Sequence, residues 1–185
     1  VPLLDLDARW RRFNDPDRAC PCCGQTFAGI FDLGFEHPED WPHPPAEGTE
    51  VAVGADRLNA DLCRLGERRF LRGVLMLPVR GADDALAYGL WAEVAHEDFY
   101  RYLDAALDEG PAFAGARGHL ANPVPGLETA PVACDLVPGD AGERPQLVAS
   151  EGALVAAQTD GISFDTLLDL YEAAGHDLRP HLAAD

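Results

Sequence analysis

The sequence predicts an α+β fold, with a central antiparallel sheet, helices packed on one side and a cysteine knuckle near the N-terminus. Three observations carry this. Two segments, 70–79 and 86–94, alternate apolar residues around the turn Arg80-Gly81-Ala82-Asp83-Asp84. The clearest helical periodicity comes after them, at 99–107 and 164–171. Cys20-Pro21-Cys22-Cys23-Gly24 stands near the start. Strands grouped ahead of helices argue against a parallel βαβ sheet. At 185 residues the chain has the length of one domain. The expected organisation is a single domain, with residues 1–18 a helical extension, 19–175 the core and 176–185 a tail.

Each element has a local cause. In 3–13, Leu3, Leu6, Trp10 and Phe13 share one side of a short helix, which Asp15-Pro16-Asp17 stops. Phe31, Leu33 and Phe35 alternate, as in a strand, and the Pro- and His-rich stretch 37–48 reads as a loop. Residues 58–65 suggest one strand beside the hairpin formed by 70–79 and 86–94. Phe99, Leu103, Ala106 and Leu107 mark a helix with Glu97 and Asp98 at its positive end and Gly110-Pro111 beyond its close. Gly118 to Pro123 reads as a turn. Val132, Cys134 and Leu136 suggest a strand, with 146–149 its partner. Ser163 is placed to cap a last helix whose stripe is Phe164, Leu167, Leu168 and Tyr171, with Gly175 past its end.

Charge narrows the function. Fourteen basic residues, all arginine, face thirty-two acids, for a net charge of −18. Without lysine, neither Schiff-base chemistry nor a Walker-type phosphate loop is available. Residues 1–92 hold ten arginines and fifteen acids; residues 93–185 hold four and seventeen. Nucleic acids and anionic membranes are repelled by such a surface, and a basic protein is attracted. No G-x-G-x-x-G follows a strand, so no nucleotide cofactor is expected, and neither of the two serines lies in G-x-S-x-G. The start lacks the basic end and apolar run of a signal peptide, and no segment is apolar enough to span a membrane, so a cytoplasmic location is expected.

Cys20 and Cys23 have the C-x-x-C spacing of a zinc knuckle, with Gly24 allowing the tight turn. Zinc takes four ligands, and no second C-x-x-C exists. Cys63 is the leading further ligand, and Cys22, Cys134, His37, His43 and Asp61 are other candidates. A thioredoxin-like redox role is disfavoured, because a strand rather than a helix follows the cluster. Unligated cysteines are the plain alternative to zinc. The histidines, His37, His43, His96, His119, His176 and His181, form no H-E-x-x-H and read as surface residues. Arg72, inside an apolar strand, calls for a carboxylate partner, for which Asp61 is the candidate, or an exposed position.

Several of these segments together resemble a bacterial family known only as domain of unknown function 2199. Cys20-Pro21-Cys22-Cys23-Gly24 resembles its C-x-C-C-G opening. Asp61-Leu62-Cys63 resembles its Ser-Asp-x-Cys segment, with Ala60 in place of serine. Phe70-Leu71-Arg72-Gly73 with Leu77-Pro78-Val79, Tyr88-Gly89-Leu90-Trp91, and Gly118 to Pro123 with Asn122 resemble three more of its motifs. The resemblance runs from about Cys20 to about Leu170. It points to Cys20, Cys23 and Cys63, and adds Trp91 and Asn122 as residues to locate. It implies no activity. Where the family usually has a histidine four residues after the last cysteine, this chain has Phe27. The expectation is a non-enzymatic binding or interaction protein stabilised by zinc, with a basic protein as partner. The alternative is a small metal- or thiol-dependent enzyme using the Cys20/Cys23 cluster.

Overall fold

The computed structural model describes residues 2–44, 48–129 and 131–184. A 3-10 turn, Leu3–Leu6, leads into α1 (Ala8–Phe13). The first six strands are β1 (Leu33–Gly34), β2 (Val51–Val53), β3 (Asp56–Leu58), β4 (Leu62–Leu65), β5 (Arg68–Pro78) and β6 (Ala85–Val94). After α2 (His96–Ala106) come β7 (Ala116–Leu120), β8 (Ala133–Val137) and β9 (Gln146–Ala149). Three helices close the chain, α3 (Ala153–Asp160), α4 (Phe164–Ala173) and α5 (Arg179–Leu182). Nine strands and five α-helices among the described residues bear out the α+β class. The chain divides into two compact units, one of Val1–Leu33, Met76–Ala87 and Ala156–Asp185, the other of Gly34–Leu75 and Tyr88–Val155.

The strand order is β1-β6-β7-β8-β9-β5-β4-β3-β2, with β6 also paired to β5. The predicted hairpin is therefore present, closed where the Val79 N–H donates to the Asp84 carbonyl at 3.0 Å. From β6 the pairings run antiparallel through β7, β8 and β9, and β9 returns to β5 in parallel at Val74–Gln146. The sequence predicted an antiparallel sheet; one pairing is parallel because five strands joined in a ring cannot all alternate in direction. Gly73 permits this closure. A Cβ there would lie 2.7 Å from Leu147 Cγ and 2.8 Å from the Pro145 oxygen. Beyond the ring, β4, β3 and β2 continue antiparallel from the first residues of β5.

Four readings change. Residues 58–65 hold two strand segments rather than one, because Asn59 Oδ1 accepts the N–H groups of Asp61 and Leu62 and turns the chain. Gly118 lies in β7 rather than a turn, and its missing side chain lets the Glu93 oxygen of β6 approach. The strand expected at 31–35 shrinks to Leu33–Gly34. The helix expected over 3–13 is interrupted at Asp7, which instead caps α1 by accepting the Arg9 N–H at 2.8 Å. Of the loop predicted for 37–48, residues 45–47 lie outside the described residues.

The first unit holds an aromatic core. Trp10 meets Phe164 edge-on at 5.1 Å, and Phe31 stacks on Tyr171 at 4.2 Å. The Tyr171 hydroxyl donates to the Phe31 carbonyl and accepts the Phe31 N–H, at 2.9 and 3.0 Å. As predicted, Ser163 caps α4, its Oγ accepting the Thr166 N–H. Gly175, at φ +89°, ends it in a Schellman turn, with His176 N–H bonded to the Tyr171 oxygen.

Candidate metal centre

The cysteine loop is a miniature hairpin. Ala19 and Thr26 pair across it, the Cys20 N–H donates to the Gln25 oxygen at 2.7 Å, and the Gly24 N–H donates to the Cys20 oxygen at 2.8 Å. Gly24 sits at φ +73°, where a side chain is disfavoured. This turn directs three thiols to one place, and a fourth group meets them there. His181 of α5 brings Nδ1 to 3.1 Å from the Cys20 sulfur, 3.4 Å from that of Cys23 and 3.7 Å from that of Cys22. The Cys20 and Cys22 sulfurs are 3.0 Å apart, and all four ligand atoms lie within 4.8 Å of one another.

Local contacts hold α5 in position. Leu178 and Leu182 are buried, Arg18 donates to the His181 oxygen at 2.8 Å, and Arg12 donates to the Leu182 oxygen at 3.1 Å. The Phe27 ring packs 5.6 Å from the His181 ring. Position 27 thus supplies a wall rather than an imidazole, and the imidazole comes from the far end of the chain.

Cys20 is buried, whereas Cys22 and Cys23 are exposed. Hydrogen bonds from Cys22 and His181 hold the Cys20 thiol low, at about 6, and proximity to Cys20 pushes Cys22 up to about 11. The group could hold a metal ion. For zinc bound tetrahedrally at about 2.3 Å to sulfur and about 2.0 Å to nitrogen, sulfur–nitrogen separations come to about 3.5 Å. The three observed separations bracket that value. A cysteine-rich, imidazole-bearing set suits zinc among the common ions.

Residues 19–162 match the model of a family described as uncharacterized proteins conserved in bacteria (DUF2199). The chain belongs to this family. No curated protein and no solved structure matches it. The DUF2199 match includes all three cysteines of the loop and stops short of His181.

The other candidate residues, Asp61, Cys63, Arg72, Trp91, Asn122, His37 and Cys134, lie in the second unit, where each has a packing or bonding task. Cys63 of β4 is fully buried with Trp41, Leu58, Phe70 and Trp91, and burial pushes its thiol up to about 12. It is not a member of the Cys20 group. His37 Nδ1 is engaged at 2.7 Å by the Pro38 oxygen, and Cys134 is buried in β8. Arg72 is paired otherwise than expected. The Asp61 carboxylate is bonded to Arg144 at 2.6 Å and reaches the Arg72 guanidinium only through its charge, while the Asp61 backbone oxygen accepts the Arg72 backbone N–H at 2.9 Å. The Arg72 guanidinium lies 5.8 Å from the Trp91 ring, with Glu36 at 3.8 Å, and burial lowers its pKa. Gly34 and Gly89 leave it room, since a Cβ at either would come within 3.6 Å of it. Asn122 is buried; its Oδ1 accepts the Trp91 N–H at 2.8 Å and its Nδ2 donates to the His37 oxygen at 3.0 Å.

His181 is the site residue that sequence reasoning missed. It lies in the stretch read as a tail, 158 residues from Cys23, with no spacing that marks a ligand. The available signal was chemical. Three cysteines of one loop leave a tetrahedral zinc one ligand short, and any of six histidines could supply it.

Proposed function

We propose that this chain is a non-enzymatic binding protein whose Cys20, Cys22, Cys23 and His181 hold one structural zinc ion. The observation that carries the reading is the convergence of four ligand atoms within 4.8 Å, three from one loop and one from α5. Four protein ligands complete a tetrahedral shell and leave no position for water or substrate, which suits a structural rather than a catalytic metal. The ion gives a single-turn helix of four residues, too short to persist on its own, a fixed anchor. The partner is a basic protein, drawn by the surplus of seventeen acids over four arginines in residues 93–185. Binding to it weakens as salt rises.

Elemental analysis of protein purified without chelator tests the metal. About one zinc per chain is expected, with loss in both His181→Ala and Cys22→Ser. Wild-type protein without metal, and unable to take up added zinc, overturns the proposal. The 3.0 Å approach of the Cys20 and Cys22 sulfurs favours a second reading, a thiol-dependent enzyme. Thiol labelling separates the two: zinc protects the cysteines until a chelator is added, whereas a working thiol reacts at once.

A further inference from the structure

Three arginines form a row across neighbouring strands of the second unit. Arg57 of β3 is directly opposite Arg64 of β4, and Arg64 is directly opposite Arg69 of β5. Opposed residues in neighbouring strands point to the same face, so the three share one, with the strands about 4.8 Å apart. Like charges placed directly opposite destabilise a sheet. The chain has thirty-two acids with which to neutralise them. Yet among the described residues none of the three forms an ion pair. Arg57 donates to the Gly54 and Asp56 carbonyls, and Arg69 to those of Gly66 and Arg68. The nearby Asp56 carboxylate is committed to His43, at 2.7 Å, and to the Gly66 N–H.

Burial sharpens the anomaly. Arg69 is only 6% exposed, its guanidinium 6.0 Å from the Phe99 ring and 5.9 Å from the Tyr100 ring. The buried Nε groups of both Arg64 and Arg69 have no hydrogen-bond partner. Asp56 offsets Arg57 in part, but among the described residues no carboxylate lies within ion-pair distance of any of the three guanidinium groups, and guanidinium groups set on one face suit the oxygens of an oxyanion.

We propose that Arg57, Arg64 and Arg69 bind a small ligand carrying two or more linked phosphate groups. The row extends about 10 Å across three strands, so successive oxyanions can each meet a guanidinium, whereas a single phosphate reaches only part of it. The protein's net charge of −18 repels a long polyanion everywhere beyond the row, which selects a short ligand over a nucleic acid strand. This site is independent of the zinc reading.

The test is calorimetric titration of the full-length protein with tripolyphosphate, orthophosphate and a twelve-nucleotide single strand, at low and at physiological salt. Tripolyphosphate binds and orthophosphate binds far more weakly. Arg64→Gln and Arg57→Gln each weaken tripolyphosphate binding by about tenfold or more, the loss expected for one charge-assisted contact. Arg117→Gln removes the same charge from an exposed position on β7 and leaves binding unchanged. Both row variants melt at or above the wild-type temperature, because repulsion is relieved. No binding by the wild type, equal loss in Arg117→Gln, or tighter binding of the oligonucleotide each overturns the proposal.

Discussion

Replacing Asn122 by leucine tests whether one buried amide fastens the 37–41 segment to the sheet. The side chain is 6% exposed and makes two bonds, both to backbone: it accepts the Trp91 N–H at 2.8 Å and donates to the His37 oxygen at 3.0 Å. Leucine matches its size and can make neither. A buried polar group left without a partner costs about 1–3 kcal/mol, so the pair sets a range of about 2–6 kcal/mol. His37 is only half-buried and can recover a bond to water, which places the expectation near 3 kcal/mol, toward the lower end. With a urea m-value of about 2 kcal/mol/M, the unfolding midpoint falls by about 1.5 M. The loss has a local signature too. The same segment is tied down by the Glu39 N–H, bonded to the Ala121 oxygen at 2.9 Å, so hydrogen exchange at Glu39 accelerates in the variant. Tryptophan fluorescence in urea and amide exchange are the assays. A midpoint shift below about 0.3 M at unchanged slope refutes the argument that this amide is a fastening.

Zinc at about a hundredfold excess over its Kd adds about 2.7 kcal/mol, which at this chain length raises the melting temperature by about 5–10 °C. Chelation removes the rise in wild-type protein and does nothing in His181→Ala, as differential scanning fluorimetry can show. Asp7 and Asp165 are held below the usual carboxylate range by Arg9, and Asp56 by its bond to His43. Their folded pKa values lie below the unfolded ones, so their contribution is present above about pH 4 and is lost as pH falls further. Melting temperatures from pH 6 to pH 2.5 should drop below about pH 4, and less steeply in Asp56→Asn. Gly73→Ala forces a Cβ against Leu147 and the Pro145 oxygen, costing about 1–3 kcal/mol in chemical unfolding. An unchanged midpoint would mean that β9 can step away from β5.

Residues whose causes are local were legible in the sequence. The β5–β6 hairpin followed from alternation around Arg80–Asp84, and α4 from its stripe, with Ser163 and Gly175 at its ends, because each signal lies within a few residues of its effect. The cysteine loop was legible for the same reason: a glycine at positive φ and three thiols within four positions make a turn that needs nothing from the rest of the chain. Short elements were read poorly. In β2 the alternation runs for only three residues, and α3 has too little one-sided apolar character to be told from a loop.

What tertiary structure decided was which distant groups meet. Nothing near His181 marks it as the fourth member of the cysteine group; the packing of Leu178 and Leu182 and two arginine hydrogen bonds bring it there. The same holds for Asp61, whose carboxylate is taken by Arg144 across 83 residues rather than by Arg72. The row of Arg57, Arg64 and Arg69 exists only because strand register sets three unrelated positions side by side. Composition and local pattern thus determined the fold class, the charge and the cysteine turn, since these depend on residues adjacent in sequence. The meeting of His181 with the three thiols, the arginine row and the parallel closure of the strand ring depend on long-range register and docking, which no local window of the sequence contains.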